Sequence, residues 1–264
     1  MSNSANQQWM YTVEQLLNYG SVRIPRQMET MEILNHSTKV AMDYPIVTYL
    51  ERGLGHKFMT AEALWILTGK NTVKDISQYS NMISKFSDDG YYFHGAYGPK
   101  LVDQFTYIVD ELIRDRDTRQ AVANIWRENP RVSKDIPCTI SSQWMIRDDE
   151  LHCFDTMRSS DIWLGWPYDI FNFTMISGFL ALQYKKRTGE ELLLGNIYLT
   201  AASQHLYAIN KEQALKCAWD RKSLDYNPFD ISAFDSPDDL LDWLNDKTIK
   251  GDIIGDIPCP RCVV

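Results

Sequence analysis

Residues 170–186, IFNFTMISGFLALQYKK, are apolar on nearly every side of a helix rather than along one stripe. Such a helix is stable only when other elements cover most of its circumference. The chain must therefore fold in layers around it. The lysines at its end and Gly189 mark its C-terminus. The rest of the chain can supply the cover. With 264 residues, 44% hydrophobic and 12% aromatic, a globular chain buries roughly 70–75% of its unfolded surface.

The flanking segments divide by their periodicity. In residues 8–19, Trp9, Val13, Leu16 and Leu17 have helical spacing, and Gly20 is a plausible stop. SVRIPRQ (21–27) reads as a loop, because Pro25 disfavours helix before it. Its Arg23 and Arg26 are either solvated or an anion clamp. Residues 28–50 mix short apolar runs with polar breaks and predict strands. MTAEALWILTG (59–69) predicts a buried helix ending at Gly69. Glu62 is then either a helix-start acid favoured by the dipole or a buried carboxyl with a raised pKa. VDQFTYIVDELIRD (102–115) predicts an amphipathic helix, and AVANIW (121–126) is strand-like. Residues 191–209 read as a strand followed by a turn carrying His205 and Tyr207. Residues 211–220 look helical, and Ser236-Pro237 opens another short helix. No internal repeat, low-complexity segment or linker interrupts the chain, so a single domain over 1–264 is expected.

Charge and motifs exclude several function classes. A net charge of −8 argues against a broad nucleic-acid-binding surface but leaves room for a small basic phosphate pocket. No apolar run reaches the ~18 residues of a membrane span, and the N-terminus does not read as a signal peptide. Five cysteines, an odd count, fit reduced thiols in the cytoplasm. Cys259 and Cys262 form a C-x-x-C without a second pair, so no metal is expected. Gly-rich phosphate loops and the G-x-S-x-G elbow are absent from the sequence.

Chemistry concentrates between Pro137 and Asp169, which hold a thiol (Cys138), an arginine (Arg158) and acids (Asp161, Asp169). A thiolate needs a cationic neighbour to form near neutral pH, and Arg158 could supply that field. The set suits covalent catalysis on a phosphorylated substrate.

The motifs in order resemble the thymidylate synthase family along nearly the whole chain. Glu62-Ala63-Leu64-Trp65, Asp103-Gln104, Asp117-Thr118-Arg119, Pro137-Cys138-Thr139, Met157-Arg158-Ser159-Ser160-Asp161, Leu164-Gly165-Trp166-Pro167-Tyr168-Asp169, Ser203-Gln204-His205-Leu206-Tyr207 and the terminal Cys262-Val263-Val264 carry the likeness. The departures resemble the family's phage deoxycytidylate (dCMP) 5-hydroxymethylase branch. Asp169 replaces the asparagine that reads uracil, Thr139 the histidine after the nucleophile, and Met157 the glutamine of the arginine motif. A carboxylate can accept from the cytosine amino group and share a proton with N3.

The resemblance implies an α+β fold: a large mixed sheet packed with helices, with one sheet face at a homodimer interface. It implies that Cys138 attacks carbon 6 of dCMP and that carbon 5 takes a one-carbon unit from 5,10-methylenetetrahydrofolate. Arg26, Arg158 and Ser159 would bind phosphate, and Arg119 would reach the neighbouring subunit's phosphate, with Gln120 where a second arginine is usual. His205 and Tyr207 would hold the sugar hydroxyl. Asp161, Trp65, Ser84 and Val264 would meet the folate, and Glu62 and Tyr97 would organise water and proton transfers. Hydroxymethylation and reductive methylation to 5-methyl-dCMP both stay open. Ser84, where the methylating family has a tryptophan, favours the former; the Val264 terminus favours the latter. A dUMP-specific relative and an inactive nucleotide-binding relative are further alternatives. The implied setting is the cytoplasm of a phage-infected cell, with no direct nucleic-acid or membrane partner.

Overall fold

The structure, a computed structural model, describes residues 3–80, 82–127, 130 and 132–258. Its helices are α1 (Ala5–Tyr19), α2 (His56–Leu67), α3 (Val73–Ser77), α4 (Gly98–Arg114), α5 (Trp166–Thr188), α6 (Lys211–Asp220) and α7 (Pro237–Lys250). Its strands are β1 (Ser21–Arg23), β2 (Thr30–Ala41), β3 (Val122–Asn124), β4 (Thr139–Arg147), β5 (Glu150–Met157), β6 (Ser160–Asp161) and β7 (Leu193–Tyr207). The strands form one mixed sheet in the order β1-β2-β7-β5-β4-β3, with β6 also paired to β7. The β5–β7 and β6–β7 pairings are parallel and the others antiparallel. This is an α+β fold.

α5 is the buried axis that the sequence demands. It lies against β5 and β7 and touches α1, α2, α4 and α7. Phe171, Phe173, Met175, Ile176, Leu180 and Leu182 are all buried. Gly189 ends it in the left-handed conformation with φ 79° and donates its N–H to Lys185 O. The helix starts at Trp166, four residues before the apolar run, because Pro167 fits the first helical turn. Asp169 therefore lies on the helix, in its first turn.

The structure corrects other expectations. SVRIPRQ is a tight hairpin rather than a loop. Its β1 pairs with Thr30–Glu32, and Arg26 and Gln27 turn the chain with φ of 50° and 64°. His205 and Tyr207 lie on β7, paired with Glu32 and Thr30, not on a turn after it. The apolar alternation that defines β7 changes phase between Ala201 and Gln204. Across the ladder Asn35 has φ 51°. That local twist exchanges the faces without ending the strand, so the pattern imitates a strand end. Ser236 does cap α7, in a reciprocal capping box with Asp239.

α1 is tied to the functional region by one side chain. Trp9 is fully buried, and its indole N–H donates to Ile162 O at 2.7 Å. Its ring packs on Trp163 and Tyr49. Trp9→Ala should lower unfolding free energy by about 3–5 kcal/mol in urea melts, through lost burial and a cavity. Trp9→Phe, which keeps a ring and loses the N–H, should cost about 1–3 kcal/mol. A Trp9→Phe variant as stable as wild type would show that the Ile162 bond contributes nothing.

Candidate active site

Cys138 ends the loop entering β4, and its backbone carbonyl accepts from Arg158 N, just after β5. The Arg158 side chain holds that loop directly. Its Nε donates to Pro137 O at 2.8 Å and its Nη2 to Ile136 O at 3.0 Å. The same Nη2 lies 3.7 Å from Cys138 Sγ. Ser159 Oγ lies 3.9 Å from the sulfur and accepts from Arg158 Nη1 at 3.3 Å. Burial pushes the Cys138 thiol up; Arg158, Ser159 and Arg26 pull it down without cancelling that effect, while Asp169 adds to it.

Beside the thiol lies a cavity of about 200 Å³. Glu62, Trp65, Tyr97, Asp169 and Asn172 line it with Cys138, and Ile83, Phe86 and Phe93 give it an apolar side. Trp65 meets Phe93 edge-on, with ring centroids 5.7 Å apart. The Tyr97 hydroxyl accepts from Thr139 N at 3.1 Å and Thr139 Oγ1 at 3.0 Å. Burial, with Asp169 and Cys138 nearby, holds Tyr97 well above the usual tyrosine range. Gly95 has no room for a side chain: a Cβ would stand 2.7 Å from Asp135 O.

Asp155 is buried, and Glu62, Asp161 and Asp169 are half-buried. Glu62 lies midway along α2, not at its start, so the helix dipole does not explain it. Burial raises its pKa from 4.5 to about 7, opposed by the 2.8 Å bond from Asn172 Nδ2. Asp169 is raised well above the carboxylate range by burial, then by the acids Glu62, Asp155 and Asp161. Its carboxyl has no hydrogen-bond partner among the described residues. Asp155, on the inward face of β5, is raised to about 7 by burial; Ser142 Oγ and Cys153 Sγ both donate to it. Asp161 is raised by burial too, although its Oδ1 accepts from Trp163 N and Leu164 N at 2.8 and 3.1 Å. Asp161 Oδ2 is buried without a partner among the described residues.

The remaining expected residues fall in different places. His205 and Tyr207 are half-buried on one face of β7, rings edge to face at 5.1 Å. Arg26 is exposed at its hairpin tip, near enough to act on Cys138. Arg119 is exposed, its carbonyl accepting from Gln143 Nε2, and does not line the Cys138 cavity. Ser84 is half-buried in the turn whose Ile83 and Phe86, not Ser84 itself, line the cavity. Val264, Cys259 and Cys262 lie outside the described residues. Sequence reasoning missed Asn172 and Asp155. Both were detectable as polar residues at inward positions of otherwise apolar patterns, in α5 and in ELHCFDTM.

The sequence profile described as thymidylate synthase matches residues 7–247. The chain belongs to the thymidylate synthase family. It is similar to the deoxyuridylate hydroxymethyltransferase of Bacillus phage SP01, 28% identical over 226 residues, covering 76% of this chain and 56% of that protein. It is also similar to the deoxyuridylate hydroxymethyltransferase of Pseudomonas phage M6, 31% identical over 146 residues, 52% of this chain and 42% of that protein. The chain thus spans about half the length of the curated relatives it matches.

Glu62 gives a prediction about stability. Its folded-state pKa is raised, so the fold favours the protonated carboxyl. Stability falls as pH rises from 4.5 to about 7 and then levels. Glu62→Gln stays neutral throughout. Its stability relative to wild type should rise by about 3 kcal/mol between pH 4.5 and pH 8. A pH-independent difference in urea melts would refute the shift.

Proposed function

We propose that this chain transfers a one-carbon unit to carbon 5 of dCMP through a covalent Cys138 adduct, giving 5-hydroxymethyl-dCMP. The observation that carries the base assignment is Asp169: half-buried in the wall of the cavity, without a hydrogen-bond partner among the described residues, and with its pKa raised by burial and by the neighbouring acids. A neutral carboxyl donates its O–H to cytosine N3 and accepts an amino N–H on its carbonyl oxygen. The cytosine assignment rests on the carboxyl sharing its proton with N3, an acceptor that uracil, which carries N3–H, does not offer.

The side chains fit 5,10-methylenetetrahydrofolate as cosubstrate. Trp65, Phe86 and Phe93 offer an apolar wall, and Asp161 Oδ2 and Trp65 Nε1 are a buried acceptor and donor without partners among the described residues. That group supplies the one-carbon unit when bound. Cys138 would add to carbon 6 and so make carbon 5 nucleophilic toward the one-carbon unit. Loss of the carbon 5 proton would expel tetrahydrofolate, and Cys138 would leave as water adds to the resulting exocyclic methylene. One difficult substitution is thus divided into easier steps. Arg158 holds the Cys138 loop and favours the thiolate, and with Arg26 and Ser159 binds the phosphate. Tyr97 stands beside Cys138 and Asp169 to relay the carbon 5 proton. Glu62, with a pKa of about 7, is suited to exchange a proton with water. His205 and Tyr207 bind the sugar. Arg119 serves the phosphate site of a second copy. An uncovered sheet face, where Phe154 stacks on Tyr198 at 4.8 Å, supports that homodimer.

A second reading, dUMP as substrate, is favoured by the names of the phage relatives. A protonated carboxyl also offers the acceptor and donor that uracil N3–H and O4 require.

Tritium release from carbon 5 of labelled dCMP and dUMP, with methylenetetrahydrofolate, decides between them. We expect faster release from dCMP, none with Cys138→Ser, and a shift of about tenfold or more toward dUMP with Asp169→Asn. Mass spectrometry should show a hydroxymethyl product. Release from neither nucleotide would refute the one-carbon reading; faster release from dUMP would refute the cytosine reading. A monomer in solution would refute the role of Arg119.

A further inference from the structure

Asn172 lies one helical turn beyond Asp169 on α5, on the same face. Both line the cavity beside Cys138. Asn172 is only 5% exposed. Its Nδ2 donates to Glu62 Oε2 at 2.8 Å. Its Oδ1 is buried with no partner among the described residues. Buried polar atoms rarely stay unpaired, and one left so in a cavity wall is available to a ligand. The flanking Phe171, Phe173 and Ile176 show that apolar side chains suit this part of the helix.

We propose that Asn172 is a specificity-determining residue that reads position 4 of the pyrimidine, its Oδ1 accepting one N–H of a cytosine amino group. The inference rests on the nucleotide-binding reading above. The amino group has two hydrogens, one for Asp169 and one for Asn172. An ionised Glu62 can only accept, so above its pKa of about 7 it fixes the direction of the amide. Uracil presents a bare oxygen at position 4, which would meet Oδ1 lone pair against lone pair. At pH 8, with Glu62 ionised, turning the amide to offer Nδ2 would break its bond to Glu62. Asn172 thus rejects uracil by a repulsion that acts beside Asp169 rather than through it.

Calorimetric titration of dCMP and dUMP into the full chain tests this. Asn172→Ala should move the dCMP-to-dUMP affinity ratio toward dUMP by about tenfold, one hydrogen bond's worth of discrimination. Asn172→Ser retains a donor that is too short to reach both sites. It should shift the ratio the same way, and it serves if the alanine variant fails to fold, as melting temperature will show. An unchanged ratio in a folded variant overturns the inference and leaves Asn172 only to hold Glu62. The underlying reading is scored separately. A wild type preferring dUMP refutes the cytosine assignment, while the direction of the Asn172→Ala shift still decides the role of Asn172. A wild type binding neither nucleotide overturns both.

Discussion

The site depends on carboxyl groups packed among apolar neighbours around the start of α5, Asp155 buried and the others half-buried. Glu62, Asp155, Asp161 and Asp169 all have raised pKa values, with burial as the first cause. Like charges in a dry medium oppose one another's ionisation. Asp169 is affected most because the other acids surround it. The apolar α5 that organises the fold therefore also raises the pKa of Asp169. On the proposed reading, packing and base recognition share one physical origin.

Burial acts on the thiol too. Burial outweighs the Arg158 field at Cys138. Arg158 contributes instead by geometry, with its guanidinium bonded to the carbonyls of Ile136 and Pro137. It fixes the sulfur at the cavity wall while its charge lowers the cost of ionisation. Thr139 and Tyr97 fix the next residue along. Cys138 is thus held from both sides.

Much of this is legible in the sequence. The all-round apolar run at 170–186 requires a covered helix, and α5 is one. Spacing locates α1, α4, α6 and α7 to within a few residues. The motifs that hold Glu62, Cys138 and Asp169 along the chain bring them to one cavity, which Tyr97 also lines. What stays hidden depends on distant neighbours. The continuation of β7 through His205 needs β2 and β6 as partners. The depth of Glu62 is set by the packing of α2 on α5 and α7. Asn172 acquires meaning only once Glu62 lies 2.8 Å away.

The central claim is that a carboxylic acid proton at Asp169 meets the ring nitrogen of the base. The nitrogen-15 resonance of N3 in labelled dCMP bound to the protein tests it most directly. A hydrogen-bonded or protonated N3 resonates far upfield of the free nucleotide. The account predicts that upfield position at pH 7.5 in wild type, and a return toward the free value in Asp169→Ala. An N3 resonance of bound dCMP at the free-nucleotide position would contradict it.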